Sequence, residues 1–186
     1  MGPHMDFHPP EALRGATVTL RRYRPADSGH VKDAIAASLD SLQDWMPWAQ
    51  SAPTDASVKG FLEPAIEHFG GDAAANYAIT LRDTGQFVGG CGLMPRVGPD
   101  ALEIGYWVHS GHHRRGIATE AARLLANAGL AIPGIRSVEI HCDAGNIASA
   151  SVARRLGFRL ERVVPEALDT RAKTGRMMVW ISERPV

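Results

Sequence analysis

The chain has 186 residues, with 20 lysine plus arginine against 20 aspartate plus glutamate, so its formal charge is zero. That length suits one domain, at most two small ones, with enough chain to bury a core. The even balance gives no basic stripe for nucleic acid and no polybasic patch for a membrane surface, and no apolar run nears the ~20 residues of a transmembrane helix.

Met1–Met5 (Met-Gly-Pro-His-Met) reads as a vector-derived cloning scar, which leaves a single domain over residues 12–184. No signal peptide is visible, so the expectation is a soluble, cytoplasmic protein. Thr17–Tyr23 alternates and is β-branched, the mark of a first strand. Pro25-Ala26-Asp27-Ser28 opens a helix capped by Asp27 or Ser28, with Val31, Ala34, Ile35 and Leu39 as its apolar stripe. Leu42–Trp48 is a short apolar stretch broken by Pro47. Thr54-Asp55 caps a second helix carrying Val58, Phe61, Leu62, Ile66 and Phe69; Pro64 predicts a kink or a split and Gly70-Gly71 the stop. Tyr77–Leu81 and Phe87–Leu93 read as strands joined by the Asp83-Thr84-Gly85 turn, and Leu102–Val108 follows as a third. A helix from about Ile117 to Leu130 comes next, then the strand Ser137–His141 and a helix from about Asn146 to Leu156. Phe158–Leu160 and Met177–Ile181 complete the strands. The early hairpins argue antiparallel pairing and the later strand–helix–strand steps a parallel crossover. The result is an α/β or α+β domain with a mixed sheet flanked by helices.

Between the third of these strands and its helix lies His113-Arg114-Arg115-Gly116-Ile117-Ala118-Thr119. Gly116 lets the backbone approach an anion closely, and the helix that follows aims its free N–H groups at the same spot. Arg114 and Arg115 can add charge-assisted bonds. The pattern implies a phosphate-bearing ligand. Cys91 and Cys142 sit in apolar, strand-like runs and read as reduced core thiols, without CxxC or Cys/His spacing for zinc. His109, His112 and His113 lack a carboxylate at helical spacing, so they read as loop histidines beside phosphates, and no metal is expected. His141 reads as a core or cleft-wall histidine rather than a base.

Five segments occur in a telling order: Leu20-Arg21-Arg22-Tyr23-Arg24-Pro25-Ala26-Asp27, Glu103-Ile104-Gly105-Tyr106-Trp107-Val108, Arg114-Arg115-Gly116-Ile117-Ala118-Thr119-Glu120-Ala121, Asn146-Ile147-Ala148-Ser149 and Arg155-Leu156-Gly157-Phe158. As a set this resembles the GCN5-related N-acetyltransferase (GNAT) superfamily, and within it the RimJ/RimL-like ribosomal-protein type. One position departs: the signature opens with Gln or Arg, where this chain has His113. The resemblance implies a mixed, mostly antiparallel sheet with two splayed parallel strands and acetyl-CoA in the cleft between them. The pyrophosphate would lie on the N–H groups of Arg114, Arg115, Gly116, Ile117, Ala118 and Thr119, beside His113. The pantetheine arm would pair with the backbone of Trp107, Val108 and His109, where an N–H near Trp107 or Val108 would face the thioester oxygen. Asn146 would bond the pantetheine, and Ser149 the departing sulfur. The tyrosine acid that many members carry on the same helix is absent, its place taken by Ala153.

Acetyl transfer to an amine needs a proton acceptor, donors for the oxyanion and a stabilised leaving thiolate. The acyl group arrives activated, so direct attack by the amine is expected rather than a covalent enzyme intermediate. Glu103, on the strand that should line the cleft and on the face of Gly105 and Trp107, is the expected base, since burial there would raise its pKa. Trp45 and Trp48 are the expected acceptor-side walls, able to hold an ammonium by cation–π contact. Ala167–Arg176 is expected as the opposite lip. The function expected is transfer of an acetyl group from acetyl-CoA to a primary amine, either a protein N-terminal α-amine or a small molecule. The alternatives are another acyl donor (a larger acyl-CoA or aminoacyl-tRNA) and a non-catalytic CoA sensor. The expected partner is the amine acceptor, with no membrane and no nucleic acid; a homodimer is compatible with the sequence but not written in it.

Overall fold

The computed structural model describes residues 7–71 and 73–186; the scar read at Met1–Met5 lies outside them. The chain runs β1 (Ala12–Arg14), β2 (Val18–Arg22), α1 (Ser28–Gln43), α2 (Asp55–Glu67), β3 (Ala75–Leu81), β4 (Phe87–Gly98), β5 (Ala101–Val108), α3 (Ile117–Leu130), β6 (Ser137–Asp143), α4 (Ile147–Arg155), β7 (Arg159–Pro165) and β8 (Arg176–Ser182). The eight strands form one sheet in the order β1-β2-β3-β4-β5-β6-β8-β7. Every neighbouring pair is antiparallel except β5 and β6. Those two run parallel and pair only from Ala101↔Ser137 to Ile104↔Ile140. Beyond Ile104 and Ile140 they part, and the sheet opens. This is the mixed α+β architecture that the sequence implies. Among the described residues no helix is long and apolar enough to cross a membrane.

The period-two alternation of strands divides the side chains between two faces. Ile79, Leu93, Leu102, Ile104 and Ile140 project to one face, where α3 and α4 cover them with Ile117, Ala121, Leu125, Ala150 and Val152. Small residues let α3 lie close: a Cβ at Gly129 would stand 3.0 Å from Val138. Leu125 is fully buried there, a burial that contributes about 2–3 kcal/mol. The other face carries Ala78 and Phe87 under Val31 and Ala34 of α1 and Val58, Leu62 and Ala65 of α2. Neither helix reaches across the whole of that face, and β5 is left open along its odd-numbered positions.

Three expectations change. Residues Ala12–Arg14 form an unforeseen edge strand. Pro64 lies inside α2, which continues to Glu67, so the proline interrupts one backbone bond without ending the helix. Asp27 does not cap α1. It is buried and accepts a bidentate pair from Arg21 at 2.7 and 2.8 Å and the N–H of Arg24 at 2.8 Å. Burial pushes the Asp27 carboxyl up, but these hydrogen bonds outweigh it and hold the pKa below the ordinary carboxylate value. A carboxylate depressed in the folded state stabilises fully above its unfolded pKa, and that stability is lost as pH falls through the folded value. Asp27→Asn is therefore expected to cost about 3 kcal/mol at neutral pH. The gap from the parent chain should narrow once pH drops below about 4, as checked by urea unfolding at a series of pH values.

Candidate active site

Where β5 and β6 part, a cavity of about 1420 Å³ runs from the turn before α3 to the segment between α1 and α2. A drug-sized ligand needs roughly 300–1,000 Å³, so there is room for a long ligand and a second, smaller one.

One end is built from backbone. Gly116 is the N-cap of α3 at φ 77°, and no side chain caps the helix. Its first internal bond runs from the Glu120 N–H to the Gly116 carbonyl at 2.9 Å. The N–H groups of Ile117, Ala118 and Thr119 thus have no acceptor within the helix. Apart from its own chain neighbours, nothing lies within 4 Å of where a Cβ on Gly116 would stand. Arg114, at φ 61°, is the one described non-glycine residue with positive φ. Alternating hands of this kind fold successive amides into an anion-binding concavity. The helix start is anchored from behind, because the Glu120 carboxylate accepts the N–H groups of Ala16 and Thr17. The His113 ring is bonded to the Val108 carbonyl at 2.9 Å, so it ties the turn to the end of β5. These observations fit a diphosphate: orphan amides, a positive helix end and empty space above a glycine.

Along β5 the N–H of His109 bonds the Val88 carbonyl at 2.8 Å. Alternation then turns the N–H of Val108 away from β4 and toward the opening. Tyr106 points to the α4 side, its hydroxyl 2.9 Å from the Ser149 Oγ. Burial raises the Tyr106 pKa well above the ordinary phenol range, against the opposing Ser149 bond, so the phenol keeps its proton. Sequence reasoning looked for a tyrosine on α4, found Ala153 and missed this one. The even-numbered place of Tyr106 on a strand beside the opening is the signal that could have found it. Asn146 caps α4, accepting the Ser149 N–H at 3.1 Å, and it lines the cavity. Cys91 and Cys142 are buried free thiols. Burial lifts the pKa of both, which leaves neither poised as a nucleophile.

The odd-numbered side of β5 carries Glu103, Gly105 and Trp107 opposite Met94, Gly92 and Gly90 of β4. Glu103 is 8% exposed. Arg96 holds it bidentately at 2.6 and 2.7 Å, so the expected lone buried carboxylate is half of an ion pair. His141 Nδ1 stands 3.6 Å from Glu103, and His141 Nε2 is 2.6 Å from Glu139. Trp48 is exposed and meets Trp107 edge-on at 6.1 Å between ring centroids. Trp45 packs over Gly145, within 3.3 Å of its Cβ position. Both line the cavity with Met46 and Phe61.

The opposite lip pairs most of its charges within the chain. Lys173 bonds Glu166 at 2.6 Å and Asp169 at 2.8 Å, and Arg171 pairs with Asp44. Asp143 accepts from Gly145 and twice from Thr174. Among the described residues no group of three or more His, Cys, Asp or Glu is placed to hold a metal ion.

An orphan-amide cradle, a parted parallel pair and a buried carboxylate thus lie along one cavity. The chain belongs to the GNAT acetyltransferase family: residues 17–159 match its domain, described as Acetyltransferase (GNAT) domain. Among curated relatives it is 29% identical over 107 residues to the uncharacterized N-acetyltransferase YjdG of Bacillus subtilis, covering 56% of this chain and 62% of YjdG. The chain spans a little over half the length of the curated relatives it matches. Among solved structures it superposes on RimL, a ribosomal L7/L12 alpha-N-protein acetyltransferase in complex with coenzyme A. That match has TM-score 0.79 and 20% identity over 93% of this chain and 98% of RimL. The microcin C7 self-immunity acetyltransferase MccE, in complex with acetyl-CoA and AMP, matches at TM-score 0.80 and 19% identity over 91% of this chain and 94% of MccE. Mycobacterium smegmatis RimJ, in complex with CoA-disulfide, matches at TM-score 0.74 and 22% identity over 95% of this chain and 86% of RimJ.

Proposed function

We propose that this protein is an N-acetyltransferase that moves an acetyl group from acetyl-CoA to a primary amine carried on an apolar body. The observation that carries the reading is the amide cradle at Gly116, aligned with the parted ends of β5 and β6. The family and the CoA-bound fold relatives support the donor.

Acetyl-CoA supplies an acyl group already activated as a thioester. The backbone from Arg114 to Thr119 holds its diphosphate, with the arginines adding charge-assisted bonds. The backbone of Trp107 to His109 and the amide of Asn146 orient the pantetheine arm. The N–H of Val108 meets the charge developing on the thioester oxygen. Glu103 takes a proton from the incoming ammonium, and the freed amine attacks directly. Ser149, backed by the Tyr106 phenol, donates toward the departing sulfur.

The acceptor wall supports the apolar body. Trp48, Phe61 and Met46 face the cavity, while Lys173, Arg171, Asp44, Glu166 and Asp169 are consumed by pairs within the chain. An exposed apolar rim of this kind marks a binding surface. A screen of amines and peptides with acetyl-CoA, read by free-thiol release, tests the proposal. Turnover should favour arylalkyl amines over hydroxylated or acidic ones of equal size. Trp48→Ala should raise the acceptor KM about tenfold through lost apolar and cation–π contact and leave the acetyl-CoA KM unchanged. Silence with every acceptor despite tight acetyl-CoA binding would instead identify a CoA sensor.

A further inference from the structure

The charges behind Glu103 go further than a single base requires. Five groups from four strands meet on the open face. Arg96 of β4 grips Glu103 of β5. His141 of β6 lies between Glu103, at 3.6 Å, and Glu139 of the same strand, at 2.6 Å. Arg162 of β7 reaches Glu139 at 3.8 Å. From β8, Val179 and Ile181 stand opposite His141 and Glu139. Asp143, next along β6 on that side, is already engaged by Gly145 and Thr174. The side chains of Glu103, Glu139 and His141 are 10%, 8% and 15% exposed. Two carboxylates are expensive to bury when apolar residues of like volume would pack as well.

The arrangement has a direction. Glu139 accepts the proton on Nε2 of His141, and this fixes the tautomer in which Nδ1 carries the lone pair. That lone pair faces Glu103. Arg96 donates to both oxygens of Glu103, so a proton taken from an ammonium would compete with those two N–H groups for the same carboxylate. The imidazole one step behind, with a carboxylate on either side, offers that proton a second acceptor.

We propose that His141, oriented by Glu139, is a relay that receives the substrate proton from Glu103 and passes it to solvent. This rests on the reading of Glu103 as first proton acceptor. The ammonium N–H bond breaks and a Glu103 O–H bond forms. That proton then moves to Nδ1 of His141, which restores the carboxylate and leaves an imidazolium between Glu103 and Glu139. The imidazolium, which lines the cavity, gives the proton to water and returns to neutral. The 3.6 Å gap closes by a small side-chain movement, as catalytic hydrogen bonds often tighten only when substrate is bound. His141 is thus a positioning residue that acts through Glu103.

The test uses the full chain and the best amine from the acceptor screen. His141→Gln should lower kcat roughly 10–100-fold near neutral pH and leave acetyl-CoA affinity by calorimetry unchanged. Its rate should recover as pH rises and the amine arrives already neutral. Glu139→Gln should give a smaller loss of the same pH form. Nitrogen NMR of the free protein should show His141 as the Nε2–H tautomer, a readout that needs no turnover and covers a His141 variant that fails to fold. An unchanged pH profile in both variants, or the Nδ1–H tautomer, overturns the relay alone. Parent protein that binds acetyl-CoA and acetylates no amine overturns the transferase reading and the relay with it.

Discussion

Glu103→Gln is expected to lower kcat by about 10²–10³-fold near neutral pH, the usual worth of a positioned general base. Acetyl-CoA affinity should hold, because the proposed mechanism puts Glu103 on the acceptor side and the diphosphate on the turn at Gly116, at the other end of the cavity. Stability should change little. Glutamine keeps the shape and one acceptor for Arg96, whose own side chain is 62% exposed and stays hydrated when its partner is lost. Rate against pH, with calorimetry of acetyl-CoA binding in parallel, checks both halves. A variant that turns over as fast as the parent at every pH would show that the amine loses its proton elsewhere.

Gly116→Asp should weaken acetyl-CoA binding about 50-fold, or about 2.3 kcal/mol. Aspartate tolerates positive φ better than most residues, so the turn survives. Its carboxylate would then occupy the space left open above the glycine, where amides and a helix N-terminus converge on an anion. Gly116→Asn supplies the control: similar size and backbone tolerance without the charge, and a loss of less than about tenfold. Isothermal calorimetry of both variants separates repulsion from crowding. Equal losses would mean that the turn holds no anion.

Most of the architecture could be read from the residues. Alternation located β2, the turns at Asp83-Thr84-Gly85 and before Leu102 bounded β3, β4 and β5, and the glycine turn marked the start of α3. The edge strand β1 escaped because three residues cannot display a period. Asp27 looked like a helix cap because its partner, Arg21, is fixed only when β2 and the turn after it pack together. The site divides in the same way. The Gly116 turn is local, so its backbone geometry was legible in seven consecutive residues. The partners of Glu103 and Ser149 are not local. Arg96 reaches Glu103 across a hairpin whose register slips after Met94, and Tyr106 reaches Ser149 across the parted strands. No spacing rule predicts either contact.

The alternation along β5 has one more effect. Odd-numbered positions such as Glu103 and Trp107 and even-numbered ones such as Tyr106 project from opposite faces of β5, so in the proposed mechanism the amine is served from one face and the departing thiol from the other. Acceptor preference can drift through α1, α2 and the Ala167–Arg176 lip while the donor-handling machinery stays untouched, which makes one scaffold serviceable for many amines.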